Sequence, residues 1–401
     1  MVNFKVLSIR CMRAKFDTGQ IISDYLSDVA PALNAWQYRT LNALSLCRTS
    51  ALGGHVDACT DCGTIRYSYN SCRNRHCPKC QSSDKERWMM DREAELLPVP
   101  YYHVVFTVPD LLNELFLANQ QILYSLLFKV AWQTIYNFGW DYKFVGADMG
   151  MTSILHTWGQ TLSYHPHLHC IVPGGGLSIQ GKWRSAKGQN KRFIFPVKAM
   201  GVYFRGKFSA ELARLNSSGK LRYNGNFKQL INASYQKKWV VYAKSPFLSP
   251  QSVIEYLGRY THKSGISNHR ITNYENDRVT FKYKDYRDGK QKLITLHAHE
   301  FIRRLGLHIL PKGFVKIRHY GFLASKLKRE LLSLIMESFG KQYNPADKKL
   351  AWEEICKNRL GFDPFECPIC KGQIIRIKGI PPIRSPPNQT TTKPIAGGYI
   401  G

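Results

Sequence analysis

The sequence predicts an α+β fold, in which an antiparallel sheet with flanking helices follows a small helical and metal-binding module. Two observations indicate this. Short runs of β-branched and aromatic residues alternate with helical stretches over roughly residues 100–335, a pattern typical of α+β domains. By contrast, residues 51–81 are rich in glycine and cysteine and hold too few apolar residues for a core of their own. We therefore expect something other than apolar burial to stabilise that segment.

The predicted elements divide the chain into five parts. Residues 1–50 are expected to be helical, because apolar residues such as Ile22, Leu26 and Leu41 recur at roughly helical spacing. The predicted strands are HVVFTVP after Tyr102, Thr152–Trp158, His167–Val172, Trp239–Ala243 and a meander of RITNY, VTFKYKDY and KLITLHA. Further helices are expected at about 82–97, 111–138, 300–306 and 321–339. The predicted domains are 1–50, 51–97 (cysteine-rich), 98–335 (the sheet), 336–373 (helical, with a CxxC pair) and 374–401 (a disordered tail).

The net charge predicts a polyanionic partner. Lysine and arginine number 57 against 28 acidic residues, which gives a formal charge of +29 and a pI near 9.7. Nucleic acid is the leading partner, because each phosphate that a cation neutralises releases a condensed counterion. A membrane surface is less favoured, since no long amphipathic segment concentrates the charge on one face.

The sequence shows no membrane span and no secretory signal. The most apolar stretch, around Tyr124–Trp132, is short and contains Lys129, and the N-terminus has basic residues throughout. We therefore expect a cytoplasmic protein, where thiols stay reduced. Eleven cysteines in that setting favour metal binding over disulfides, because six of them lie in CxxC pairs.

Two CxxC pairs predict a structural zinc site. Cys59, Cys62, Cys77 and Cys80 have nearly the spacing of a four-cysteine site, in which paired thiolates on tight turns reach one tetrahedral ion. The same segment offers His55, Cys72 and His76 as alternate ligands. Arg73 and Arg75 lie within it, so the module is also expected to contact DNA. A further pair, Cys367 and Cys370, has no matching pair in sequence, although Cys356 is a candidate third ligand.

The segment YHPHLHC predicts a second kind of metal site. On a strand, His167 and His169 share one face while Leu168 and Cys170 point into the core. Two such imidazoles can hold one divalent ion, which could polarise a phosphate oxygen. The third ligand stays open among Gln160, Asp148 and His262. The following GLSIQGK resembles a nucleotide-binding loop but continues with Trp183, so we expect a hairpin and no nucleotide cofactor.

Two tyrosines lie one helical turn apart. Tyr256 and Tyr260 project from one face of a helix that is expected to begin at Ser249, with Arg259 and Lys263 adding positive charge nearby. Tyrosine needs a neighbouring cation or metal to become a nucleophile. Spacing alone favours a core-facing stripe instead, since Val253 and Leu257 share the pattern.

In their order along the chain, these motifs resemble the two-tyrosine HUH transposases of insertion-sequence family ninety-one. The likeness covers residues 51–322 and includes RHCPKC, LHTWGQ, HPHLHC, YLGRYTHK and KIRHYGF. It implies an HUH-type antiparallel sheet in the 98–335 domain, with His167 and His169 as ligands of a catalytic Mg²⁺ or Mn²⁺. It also implies that Tyr256 and Tyr260 are nucleophiles with Lys263 beside the reacting phosphate, and Arg259 is expected to contact DNA.

The resemblance implies cleavage of single-stranded DNA at transposon ends through a 5′-phosphotyrosine, without ATP, by a protein associated with the nucleoid. Two alternatives remain at this point. A rolling-circle replication initiator or relaxase uses the same chemistry, and a non-catalytic zinc protein could bind nucleic acid without cutting it. Protein partners and oligomeric state are not predicted.

Overall fold

The architecture is that of a computed structural model, which describes residues 14–187, 193–243, 247, 252–254, 256, 258, 265–285, 287–324, 326–343 and 350–383. The chain forms two compact units, and neither is continuous in sequence. The first contains Met1–Ser83, Ile266–Gly306 and Ala351–Gly401, and the second contains Asp84–Gly265 and Leu307–Leu350. These limits cross the predicted domain boundaries, because residues 266–306 lie within the predicted 98–335 domain and yet belong to the first unit.

The described strands are β1 (Gly54–Cys59), β2 (Ile65–Tyr69), β3 (Tyr101–Thr107), β4 (Asp148–Trp158), β5 (Tyr164–Pro173), β6 (Gly175–Leu177), β7 (Trp183–Ser185), β8 (Val241–Ala243), β9 (Ile271–Glu275), β10 (Arg278–Lys284), β11 (Gln291–His297), β12 (Ile317–Gly321) and β13 (Ile374–Ile380). The described helices are α1 (Thr18–Val29), α2 (Ala35–Ser45), α3 (Ser82–Glu93), α4 (Asn113–Ala118), α5 (Gln120–Trp140), α6 (Val197–Ser217), α7 (Phe227–Gln236), α8 (Ala298–Leu307), α9 (Lys328–Ser338) and α10 (Trp352–Ile355). The predicted α+β class is confirmed.

The first unit begins with two capped helices. The Asp17 carboxylate accepts a hydrogen bond from the backbone of Gly19 at the start of α1, and Asn34 forms a capping box with Gln37 at the start of α2. The same unit holds two three-stranded antiparallel sheets, ordered β13-β1-β2 and β11-β10-β9. The second of these is the predicted meander, and α8 follows it.

The strand β13 corrects the prediction of a disordered tail from residue 374. It pairs with β1 along its whole length, from Cys59 opposite Ile374 to Gly54 opposite Ile380. The proline-rich composition that suggested disorder begins only after this strand, and residues 384–401 lie outside the described part of the chain.

The second unit is built on a seven-stranded sheet ordered β7-β6-β4-β5-β3-β8, with β12 paired to β4. On one face, side chains of β3, β4 and β5 pack with α5 and α6 in the main hydrophobic core. Helices α6 and α7 were not among the elements predicted from the sequence. In α6, however, Met200, Phe204, Phe208 and Leu212 recur every four residues and are buried.

The opposite face of this sheet carries a smaller apolar cluster. Ile154 of β4 and Ile171 of β5 pack there with Val253 and Ile254, which are helical. The predicted hairpin is confirmed, because β6 and β7 pair across the GLSIQGK segment. None of the helices in the described part of the chain is long and apolar enough to cross a membrane.

Candidate functional site

The two predicted histidine ligands lie in the middle of the seven-stranded sheet. His167 and His169 belong to β5, which has β3 on one side and β4 on the other. The predicted alternation is confirmed: Leu168 and Cys170 are fully buried in the main core, while the histidines lie on the opposite face. Strand pairing therefore fixes both imidazoles on a surface that neighbouring strands also supply.

A local irregularity begins this histidine segment. Between the pairs His156–His167 and Trp158–Tyr164, β4 advances by two residues and β5 by three. The extra residue lies beside Pro166, which is the third residue of β5. Proline has no backbone N–H to donate to a ladder, so a bulge is a suitable place for it.

A third histidine completes the group, and it was not among the predicted ligands. His156 of β4 lies directly opposite His167 across the strand pair, and the ligand nitrogens of His156, His167 and His169 lie within 4.8 Å of one another. Asp148 is excluded, because it lies eight residues earlier on the same strand, about 26 Å away at the usual rise per residue. His262 lies outside the described residues, and Gln160 stays a prediction.

The hydrogen bonds of His167 define which ring nitrogen faces the group. Its Nδ1 lies 2.7 Å from the carbonyl oxygen of His165. A carbonyl only accepts, so Nδ1 carries the proton and Nε2 of the neutral ring keeps a free lone pair. Burial lowers the pKa of His167 to about 4, which keeps the ring neutral near pH 7. Its Nε2 lies 3.2 Å from Nε2 of His169.

One of the two predicted tyrosines lies beside this group. The Tyr256 hydroxyl is 3.2 Å from Nδ1 and 3.4 Å from Nε2 of His103, a buried residue of β3. His103 in turn places Nε2 2.9 Å from Nδ1 of His169, with the two rings stacked at 5.1 Å. Tyr256 also packs against the smaller apolar cluster, as the core-facing interpretation of this residue expects.

The remaining predicted residues of this site are not described. Tyr260, Lys263 and Arg259 lie outside the described residues, although Tyr256 and Gly258 on either side of Leu257 are helical.

The predicted four-cysteine site is corrected by the structure. Cys77 and Cys80 lie with Cys47 and Cys72, and we name this group of four the inner cysteine group. Cys72 was predicted only as an alternate ligand, and Cys47 was not predicted. Within the group, the Sγ atoms of Cys72 and Cys80 are 3.8 Å apart, and the backbone N–H of Cys72 donates to Sγ of Cys47 at 3.4 Å.

Cys59 and Cys62 belong to a different group, together with Cys367 and Cys370, which we name the outer cysteine group. The pair Cys367 and Cys370, which has no matching pair close by in sequence, therefore does have a partner pair. That partner is Cys59 and Cys62, which spacing had grouped with Cys77 and Cys80. The Thr64 hydroxyl, 3.1 Å from Sγ of Cys62, is the main cause that lowers the pKa of that thiol to about 6.

Three predicted alternates belong to neither group. His55 contacts the Asp57 carboxylate at 3.4 Å, and His76 and Cys356 are likewise outside both groups of four. Two of the arginines predicted to contact DNA, Arg73 and Arg75, lie close to Cys72 and Cys77 of the inner cysteine group in sequence. Arg73 is exposed and has a positive φ of 51°, whereas Arg75 is half-buried, and burial lowers its pKa.

Comparison with known proteins agrees with this arrangement. The family model described as "Transposase zinc-binding domain" matches residues 19–108, and the one described as "Putative transposase" matches residues 150–330. The chain is 40% identical over 375 residues to the putative transposase y4qJ of Sinorhizobium fredii, which covers 89% of this chain and 92% of that protein. This chain belongs to the transposases of insertion-sequence family ninety-one.

A second relative supports the same family. The transposase for insertion sequence element IS801 of Pseudomonas savastanoi pv. phaseolicola is 29% identical over 346 residues, with 84% of this chain and 83% of that protein covered. No solved structure matches this transposase. As a family member, it is a nucleic-acid-cleaving enzyme that binds DNA and carries a zinc-binding domain.

Three residues of this transposase were missed by sequence reasoning. His156 lies in LHTWGQ, one of the motifs that resemble the family, and this membership could have marked it as a candidate ligand. His103 begins the predicted HVVFTVP strand as a single histidine in an apolar run, and Cys47 has no CxxC partner. Neither carries a local pattern, and only the pairing of distant segments brings them to their groups.

Proposed function

We propose that this transposase cuts and rejoins single-stranded DNA by tyrosine transesterification. The observation that carries the proposal is the contact of the Tyr256 hydroxyl with His103, which itself contacts His169 of the three-histidine group. This chemistry requires a nucleophile close to a metal-bound phosphate, and the contact brings the Tyr256 hydroxyl within reach of a residue that touches the three-histidine group.

The reaction exchanges one phosphodiester for another. The Tyr256 oxygen attacks phosphorus, an O–P bond to tyrosine forms, and the P–O bond to the 3′ oxygen breaks. The tyrosine hydroxyl loses its proton, and the departing 3′ oxygen gains one. The products are a 5′-phosphotyrosine and a free 3′-hydroxyl. The ester bond is exchanged and not hydrolysed, so rejoining needs no nucleotide cofactor.

The three histidines suit a divalent transition metal. Their imidazoles form an all-nitrogen donor set, and the 3.2 Å between Nε2 of His167 and Nε2 of His169 is close to the roughly 3.3 Å edge of a tetrahedral nitrogen site. Imidazole favours transition metals over Mg²⁺, so Mn²⁺ fits this set better than Mg²⁺. When bound, the ion would polarise an oxygen of the scissile phosphate.

His103 is the positioning residue of this arrangement. If Nε2 of His169 is a ligand, its Nδ1 carries the proton and donates to Nε2 of His103. His103 then carries its own proton on Nδ1, which lies 3.2 Å from the Tyr256 oxygen and donates to it. A donor within hydrogen-bond distance of that oxygen would stabilise the phenolate, and with it the attacking form of tyrosine.

The second tyrosine and its flanking cations complete the proposal. Tyr260 would perform a second cleavage and strand transfer in rolling-circle transposition, with Lys263 and Arg259 near the reacting phosphate. Their assignment rests on the resemblance of the YLGRYTHK segment to the family's motif. The inner cysteine group would hold a structural zinc ion, since its four sulfurs meet around one point in a segment with little apolar core.

The experiment is incubation of a labelled single-stranded oligonucleotide carrying the element's end with the purified protein and Mn²⁺. Metal-dependent covalent adducts on a denaturing gel are expected, and Tyr256→Phe should reduce them. Tyr142→Phe is the matched control, because Tyr142 is 62% exposed and stacks on Arg184 through a ring that phenylalanine keeps. Adducts that persist in a Tyr256→Phe/Tyr260→Phe protein would exclude the proposal.

A further inference from the structure

We propose that the outer cysteine group, Cys59, Cys62, Cys367 and Cys370, binds a second zinc ion that fastens strand β13 to strand β1. This site is separate from the inner cysteine group and draws half its ligands from residues beyond those matched by the zinc-binding family model, 19–108. It is independent of the proposed DNA-cleavage chemistry.

The two CxxC segments form the same turn. The backbone N–H of Cys59 donates to the carbonyl of Thr64 at 3.0 Å, and that of Gly63 donates to the carbonyl of Cys59 at 3.1 Å. In the second segment, the backbone N–H of Cys367 donates to the carbonyl of Gly372 at 2.8 Å, and that of Lys371 donates to the carbonyl of Cys367 at 2.9 Å. The spacing of donors and acceptors is identical in the two turns.

The backbone conformation is matched as well. The residue after the second cysteine has a positive φ in both turns, 67° at Gly63 and 69° at Lys371. Lysine rarely adopts this conformation, which costs roughly 1 kcal/mol or more outside glycine. A strained lysine in the same position as a glycine indicates that the turn geometry itself is needed, and this geometry directs both sulfurs of a pair to one side.

The sulfur atoms of the two turns meet each other. Sγ of Cys59 lies 3.4 Å from Sγ of Cys370, and Sγ of Cys62 lies 3.7 Å from Sγ of Cys367. Four thiolates around one zinc ion are separated by about 3.8 Å, given the usual zinc–sulfur distance. Each short contact joins one turn to the other, so a single ion would bind both turns at once. Each thiol would release its proton to solvent on binding.

The sheet around this site has little else to stabilise it. Its apolar cluster contains only Cys59, Cys367 and Ile374 among the described residues. Four other large apolar side chains of β2 and β13 are between 44% and 61% exposed, namely Ile65, Tyr67, Ile375 and Ile377. A three-stranded sheet that buries so few apolar side chains is marginal in water, so zinc would supply the folding free energy that apolar burial does not.

The test measures zinc in the full-length protein purified under reducing conditions. The Cys367→Ser/Cys370→Ser protein should hold about one zinc ion fewer per chain than the unmodified protein. Cys356→Ala is the matched control, because Cys356 lies in the same C-terminal region but in neither group, and this variant should keep the zinc content of the unmodified protein. An unchanged zinc content in the double variant overturns the proposal.

A second measurement needs no variant. Thiols of the unmodified protein are alkylated before and after removal of metal with a chelator, and the labelled peptides are identified by mass spectrometry. Cys59, Cys62, Cys367 and Cys370 should resist alkylation until the chelator is added. Free thiols without chelator, or thiols that become reactive only after a reductant because they form disulfides, would contradict the zinc assignment.

Discussion

Nε2 of His103 lies 2.9 Å from Nδ1 of His169, across the pair of strands β3 and β5. This contact links a histidine outside every sequence motif to a member of the three-histidine group, and the Tyr256 hydroxyl lies 3.2 Å from Nδ1 and 3.4 Å from Nε2 of the same His103 ring. The geometry of the site therefore depends on strand pairing as much as on the motif residues.

His103→Ala should reduce the rate of covalent adduct formation. Residues that orient a metal ligand typically contribute about 10- to 100-fold in metal affinity or activity, and the same range is expected here. The variant should also need more Mn²⁺ for half-maximal adduct formation. His103→Gln keeps a donor and an acceptor on one side chain, so partial recovery is expected. A rate loss with an unchanged Mn²⁺ requirement would remove the role of His103 in orienting His169, and a loss that His103→Gln does not recover would indicate a packing role only.

His156→Ala tests the third ligand. Removal of one of three imidazoles should raise the Mn²⁺ concentration needed for cleavage by at least about 10-fold, by the same order as loss of other metal-site partners. His165→Ala is the matched control, because its backbone carbonyl, which orients His167, is retained. Metal titrations followed on denaturing gels give both values. If His156→Ala and His165→Ala change the Mn²⁺ requirement equally, His156 is not a metal ligand.

Sequence predicted part of this site and part of the fold. Alternation along β5 depends only on local geometry, so the faces of His167 and Leu168 could be predicted. The pairing of His156 with His167 is set by the register of β4 against β5, which a bulge shifts, and no local pattern encodes that register. For the cysteines, spacing favoured Cys59 with Cys77, but β13 reaches β1 from the far end of the chain and brings Cys367 instead.

Proton uptake by His319 on unfolding should make the free energy of unfolding depend on pH. Burial, with Arg92 and Lys328 nearby, lowers the pKa of this residue of β12 to about 3, while Arg92 Nη1 lies 3.2 Å from its Nε2. The unfolded chain binds the proton near pH 6.5 and the folded chain does not, so the free energy of unfolding falls as the pH falls from about 6.5 to about 3. Its slope from this group is at most about 1.4 kcal/mol per pH unit.

Urea denaturation of wild type and His319→Gln over that pH range gives the comparison. The contribution of the other histidines is common to both proteins, so the difference in slope reports His319. A shallower dependence in the variant is expected. Parallel curves would mean that His319 is protonated alike in the folded and unfolded chains.

Chelator should remove the two proposed zinc ions at different rates. Cys62 and Cys370 of the outer cysteine group are exposed, whereas the cysteines of the inner group are at most 9% exposed. Zinc release followed with a colorimetric indicator should therefore show a fast and a slow phase. The Cys367→Ser/Cys370→Ser protein should lack the fast phase. Loss of the slow phase in that protein would instead assign the exposed thiols to the tighter site.

The most direct measurement of the central claim is the identity of the residue joined to DNA. Adducts formed with a single-stranded transposon-end oligonucleotide and Mn²⁺ are digested with protease and nuclease, and the modified peptide is sequenced by mass spectrometry. We predict a phosphodiester to Tyr256 or Tyr260, at the 5′ side of the cut. A nucleotide attached to any other residue, or cleavage that leaves no protein–DNA bond, would contradict tyrosine transesterification.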